Sequence, residues 1–246
     1  MTALHRRQAQ AGPILDFGFT DVGAVRAGNE DALVLRPDDG LWAVADGMGG
    51  HRHGALASAA LAAALLDAPI VGEPEADRAN IDAAVQEANR TLFQRSAALG
   101  GRMGSTIVTL LIGGDRFDVA WVGDSRAYVL REGVLHPLTA DHTQVQARVE
   151  KGLLTPAEAR NHPLAHVLTR AVGSEASVEM SRIGGQTAPG DRFLLCSDGV
   201  HGVVGEAEIK EALSFGDPAG AGQSLASLCN ARGSPDNFTL IVVDCA

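Results

Sequence analysis

Four aspartates stand where apolar runs meet tight turns: Asp46 in VADG, Asp124 in WVGDSR, Asp198 in CSDG and Asp236 in SPDNF. Singly, each reads as a turn residue, because Asp-Gly is among the commonest turn dipeptides. As a set they can converge on one rim of a pair of sheets, with nearby glycines letting backbone carbonyls approach a cation. No His or Cys cluster with zinc spacing accompanies them. Hard oxygen ligands alone favour magnesium or manganese over zinc or copper. Two such ions about 3.5–4 Å apart could share a bridging carboxylate, activate a water for in-line attack on phosphorus and neutralise the oxyanions that develop.

The centre of this pattern is LWAVADGMGGHRHG, Leu41 to Gly54. An apolar run delivers Asp46 into a glycine-rich turn, and an alanine-rich, helix-forming stretch follows. The phrase recurs as FLLCSDG, Phe193 to Gly199. Around these turns, strands are expected at Ile14 to Thr20, Ala32 to Leu35, Leu41 to Ala45 (uniformly apolar, so buried on both faces), Thr106 to Ile112, Arg116 to Val122 and Arg126 to Leu130. Glu132-Gly133 turns a hairpin into Val134-Leu135. Further strands are expected at Val178 to Ile183, Arg192 to Cys196 and Phe238 to Val243.

Leu56, Ala60, Leu61 and Leu65 mark one helix, broken at Pro69 to Pro74; Ile81, Val85, Ala88 and Leu92 mark a second, ending near Gly100. Glu206 to Leu213 and Ala219 to Ala231 read as helices too. Strands and helices fall in blocks rather than strict alternation, which argues for hairpin-built antiparallel sheets with helices outside, an α+β layered fold. Residues 1–13 read as a loose polar tail and 14–246 as a single domain. Residues 139–173, rich in His, Arg and Glu, read as two short helices and a mobile loop between strands, with a capping box at Thr155 to Glu158.

At 246 residues with 46% hydrophobic content, the chain is long enough for a substantial core. A formal net charge of −10 argues against a nucleic acid or an anionic membrane as partner, although bound cations would reverse the sign locally for an anionic substrate. Cys196, Cys229 and Cys245 form no framework, which fits a reducing cytosol. The N-terminal residues hold no apolar core for a signal peptide, and the expected location is the cytoplasm.

Six short motifs occur in order: RxxNED (Arg26 to Asp31), ADGMGG (Ala45 to Gly50), GSTIV (Gly104 to Val108), VGDSR (Val122 to Arg126), SDG (Ser197 to Gly199) and DN (Asp236-Asn237). From about Leu15 to Val243 the chain resembles the metal-dependent protein serine/threonine phosphatases of type 2C in their bacterial form (the PPM family). The resemblance implies a four-layer α-β-β-α sandwich of two antiparallel sheets flanked by helices. It implies two Mn2+ or Mg2+ ions, with Asp46 bridging them, Asp198 and Asp236 completing the first ion's protein ligands and the Gly47 carbonyl ligating the second. Glu30 and Asp31 would hold that ion's waters, Asp124 with Asp198 would bind a third ion, and Arg26 would grip the substrate phosphate. Residues 139–173 match the family's flap beside the active site. The implied activity is hydrolysis of phosphoserine and phosphothreonine without a covalent enzyme intermediate, opposing a bacterial Ser/Thr kinase, in a monomer.

Met48 stands where many eukaryotic members carry a histidine that is a candidate general acid, so leaving-group protonation must come from metal-bound water or elsewhere. His51 and His53 read as helix-start or surface histidines, and neither is expected to be the acid. His142, His162 and His166 lie in the flap segment, either as solvated loop residues or with one as a proton donor. Arg126 and Arg170 read as salt-link residues, with phosphopeptide binding as the alternative. Trp42, Trp121 and Cys196 read as core. Two other functions compete: a regulatory phosphatase dedicated to one phosphoserine switch protein, and a non-catalytic binding module on the same fold, whose signature would be loss of the metal carboxylates.

Overall fold

The computed structural model describes residues 6–9, 12–49, 52–99, 103–160 and 162–245. The strands are β1 (Arg6–Ala9), β2 (Gly12–Asp21), β3 (Asp31–Arg36), β4 (Leu41–Met48), β5 (Gly104–Ser105), β6 (Ile107–Gly113), β7 (Arg116–Val122), β8 (Arg126–Arg131), β9 (Val134–Pro137), β10 (Ser181–Gln186), β11 (Arg192–Cys196) and β12 (Phe238–Asp244). The helices are α1 (Arg52–Asp67), α2 (Pro74–Leu99), α3 (Gln144–Glu150), α4 (Pro156–Arg160), α5 (Asp198–His201), α6 (Glu206–Leu213) and α7 (Pro218–Ala231).

The strands form two antiparallel sheets, ordered β1-β2-β12-β11-β8-β9 and β10-β7-β6-β4-β3, with β5 attached to β4. Strand β4 carries no polar–apolar alternation because both its faces are covered. Leu41, Ala43 and Ala45 pack with Leu61 and Leu65 of α1 and Ile81 and Leu92 of α2. Trp42 and Val44 point the other way, into a core shared with Val129, Phe193, Leu195, Ile241 and Val243 of the facing sheet. On that sheet's outer face Tyr128, Leu194, Leu240 and Val242 pack with Ile209 of α6 and Leu225 and Cys229 of α7. The molecule is therefore an α+β sandwich of four layers, helices, sheet, sheet, helices, with an apolar core at each of three interfaces.

Local chemistry sets the element ends. The Thr155 hydroxyl accepts the Glu158 N–H while the Glu158 carboxylate accepts the Thr155 N–H, the expected reciprocal cap. Asp217 caps α7 by accepting the Gly220 N–H at 2.8 Å, with Pro218 at the first turn.

Three expectations change. The tail read as loose contains β1, paired antiparallel with β2 so that Arg6 lies opposite Leu15. The strand expected at Val178 to Ile183 begins instead at Ser181 and runs through Gly184-Gly185 to Gln186. Val178 turns into the core under the helices, and a side chain at Gly185 would strike the Phe117 ring, so the glycine beyond the expected end is what lets this edge strand lie flat on β7. The residues after Ser197, read only as a turn, form the short helix α5.

Candidate metal centre

The register of β3 and β4 sets Asp31 directly opposite Asp46. Just before β3, Glu30 contributes its carbonyl to the Gly47 N–H at 3.1 Å and to the Ser58 hydroxyl at 2.6 Å, which ties the RxxNED loop to β4 and to α1. Gly47 is buried, and a side chain there would collide with the Gly54 carbonyl; one at Gly54 would collide with the Glu30 carboxylate. The glycines of this turn thus allow α1's first residues to approach the backbone beside Asp46. From the other sheet, β11 ends at Cys196 and delivers Asp198 at the start of α5, while Asp236 precedes β12. The β7–β8 turn supplies Asp124. Asn237 fastens these pieces: its side chain accepts the Glu30 N–H at 2.8 Å and donates to the carbonyls of Val22 and Gly28.

The resulting carboxylate cluster is electrostatically strained. Burial, reinforced by the charges of Asp31, Asp198, Asp124 and Asp236, pushes the Asp46 carboxyl well above the usual range. Burial likewise raises Asp31 to about 7, against hydrogen bonds from Thr239 and Ser197 that favour the charge. Asp124 rises to about 7 through burial and the charges of Asp198 and Asp141. Asp198 is the exception: burial pushes it up, but contact with His166 and the charge of His201 outweigh it and leave its carboxyl low.

Asp31 Oδ2 accepts the hydroxyls of Ser197 at 2.8 Å and Thr239 at 2.7 Å, whereas Oδ1 is buried with no hydrogen-bond partner among the described residues. A buried carboxylate oxygen without a donor, on a residue beside Asp46, Asp198 and Asp236, fits a hard divalent cation and its waters. Ligand atoms of Asp124, His166 and Asp198 also lie within 4.8 Å of one another, a spacing that a cation could bridge.

The structure therefore brings together Asp46, Gly47, Glu30, Asp31, Asp124, Asp198 and Asp236. Arg26 joins them at the mouth, its Nη2 2.6 Å from Asp236 Oδ2, with half of its side chain exposed. His166, read as solvated, is largely exposed, yet its Nδ1 lies 3.6 Å from Asp198 Oδ2. His162 instead makes local contacts with Leu164 and Arg148. Arg126 forks the Asp141 carboxylate with two 2.8 Å bonds, a salt link as expected, and Arg170 donates to Ser181 and the Glu179 carbonyl. The Met48 side chain lies beside Gly104, His53 is half-buried, and His51 lies outside the described residues. Cys196 is fully buried and its thiol is pushed up by burial, so it is core. Sequence reasoning missed His201, whose Nε2 donates to the Asp124 carbonyl at 3.0 Å; no local pattern marks it, since its partner lies 77 residues away.

A two-sheet sandwich with a carboxylate rim and an arginine at its mouth can hold hard divalent cations beside a bound oxyanion. The chain belongs to the protein phosphatase 2C family, which residues 24–231 match. It is 40% identical over 231 residues to the serine/threonine protein phosphatase PstP of Mycobacterium tuberculosis, an alignment covering 92% of this chain and 44% of that protein. The chain thus spans less than half the length of that relative. It is 33% identical to the serine/threonine phosphatase stp of Listeria monocytogenes, covering 92% of this chain and 93% of the relative. The catalytic domain of PstP, solved in complex with two manganese ions, shares the fold with a TM-score of 0.83 at 37% identity, covering 94% of this chain and 97% of that one. Among the described residues no helix is long and apolar enough to cross a membrane.

Proposed function

We propose that the chain is a protein phosphatase that hydrolyses phosphoserine and phosphothreonine by direct attack of water, using two Mn2+ or Mg2+ ions and a third beside them. The observation that carries this is the half-buried aspartate cluster around Asp46, with an Asp31 oxygen that has no partner among the described residues. Asp46 would bridge the central ions, Asp198 and Asp236 would complete the first, and the Gly47 carbonyl would hold the second with Glu30 and Asp31 behind its waters. Asp124 and Asp198, joined by His166 when the 139–173 flap lies against the rim, would hold the third. When bound, such ions supply a water of lowered pKa and neutralise the phosphate oxyanions. Arg26, planar and half-exposed at the mouth, is suited to fork two phosphate oxygens and orient the ester. Met48 cannot donate a proton, so the leaving group would draw its proton from water on the Asp124 side. The cysteines are unpaired, which supports action in the cytoplasm, where a Ser/Thr kinase and its substrates are the expected counterparts of a monomeric enzyme.

Asp46→Asn and Asp236→Asn, each at saturating Mn2+, are expected to lower turnover of a small aryl phosphate by about a thousandfold or more, roughly 4 kcal/mol of transition-state stabilisation. Native-like turnover in either variant would remove the two-ion reading. Retention of every metal carboxylate disfavours the non-catalytic alternative.

A further inference from the structure

The base of the 139–173 segment meets the catalytic rim through a half-buried side chain that the proposed chemistry does not use. His142 stacks on the Trp121 indole, ring centroids 5.9 Å apart and 15° from parallel. Its Nδ1 accepts the Gly123 N–H at 3.1 Å, and its own backbone N–H donates to the Gly123 carbonyl at 2.9 Å. A backbone N–H can only donate, so Nδ1 is unprotonated and Nε2 carries the ring hydrogen, which goes to Ser181 Oγ at 2.9 Å. Burial, then the Arg170 charge, lowers the imidazole to about 4, consistent with this neutral tautomer.

Gly123 immediately precedes Asp124, and at φ +105° it has no room for a side chain, which would strike Thr106. The next two residues are gripped as well. The Asp124 carbonyl accepts from His201, and Ser125 Oγ lies 2.6 Å from Thr106 Oγ1, which itself accepts the Asp46 N–H at 3.1 Å. His142 grips this turn from the 139–173 segment, through its ring and its backbone N–H alike. Its carbonyl accepts the Thr169 N–H at 2.7 Å, and a bridge between Thr143 and Leu168 joins the segment's two ends.

We propose that His142 is a positioning residue: through Nδ1 it sets the Gly123–Asp124 turn, aims the Asp124 carboxylate and couples it to the 139–173 segment. This rests on Asp124 being a ligand of the third ion. Three variants separate the two ring nitrogens. Asparagine presents its amide oxygen near the place of Nδ1, glutamine reaches toward the place of Nε2, and alanine does neither.

Mn2+ is titrated into each full chain, free ion is counted by its electron paramagnetic resonance signal, and kcat and KM are measured with phenyl phosphate. His142→Ala and His142→Gln are expected to weaken the last-filling site by about 10–100-fold, the usual effect of losing an outer-shell partner, with the first two ions held within about twofold. Their kcat should fall in step while KM stays near its native value, and His142→Asn should recover most of both losses. If the alanine variant fails to fold, the asparagine–glutamine comparison decides, because both fill the space. Native third-ion binding in the alanine or glutamine variant, or asparagine no better than glutamine, overturns the proposal. Asp124→Ala is run in parallel: an unaltered last site there refutes the reading of Asp124 itself, whereas its loss there with native binding in the His142 variants refutes only the role of His142.

Discussion

Asp31 and Asp46 face each other across β3 and β4, where like charges oppose pairing, and both carry raised pKa values. The folded chain therefore keeps protons that the unfolded chain releases. Asp31 and Asp124 titrate near 7 when folded, against 3.8 as the ordinary value. Their contribution to the metal-free fold is full below about pH 4 and is lost as pH rises through about 7. The melting temperature of the metal-free chain should accordingly fall between pH 6 and pH 8.5. Mn2+ binding should release protons at pH 6.5 and few at pH 8.5, read by titration calorimetry in buffers of different ionisation heat. A flat melting profile with no proton release at pH 6.5 would contradict the carboxylate account. Asp46 was legible from sequence because one apolar run and one Asp-Gly turn encode its position locally. The contacts of His166 and His201 were not, since their partners Asp198 and Asp124 lie far along the chain and meet them only after folding.

Among the elements, those with a strong internal period were the easiest to read. β7, β11 and α6 run over the expected residues, and α7 starts one residue earlier because Asp217 and Pro218 form its cap. β10 was misplaced because its glycines serve packing on Phe117, a demand that no local propensity expresses. Helix α1 does double duty. Its alanines let it lie close on β4, where Leu61, fully buried, packs with Ala43 and Ala45, while Ser58 and Gly54 of the same helix meet Glu30 and Gly47. Leu61→Ala should cost about 2–5 kcal/mol of stability by leaving a cavity, read as a lower denaturant midpoint with an unchanged slope. Turnover at saturating Mn2+ and low temperature should stay near native, because no ligand is touched. A midpoint shift near zero would mean that α1 is held by its polar contacts instead.

For the whole molecule, three stacked cores support one polar rim, and that rim concentrates acidic groups in a chain whose formal charge is already −10. The layered class was readable in advance because block-wise strands and helices admit few arrangements. Which rim would carry the chemistry followed only from the packing of β4 against β11 and β12 across the two sheets. The unpartnered oxygen of Asp31 and the crowd around Asp46 have an evolutionary corollary. Replacing Asp46 by asparagine removes a carboxyl that must hold a proton against its ordinary range to fit the metal-free fold, so at neutral pH the metal-free variant should melt higher than the metal-free native chain, by about 2–4 °C for each kcal/mol gained. A lower melting temperature would show that the carboxylate supports the fold. If the expected rise is found, selection for catalysis and selection for durability pull this position in opposite directions. A descendant released from the first would then drift downhill in free energy toward a silent, sturdier scaffold, and every carboxylate still present is a record that the release has not happened here.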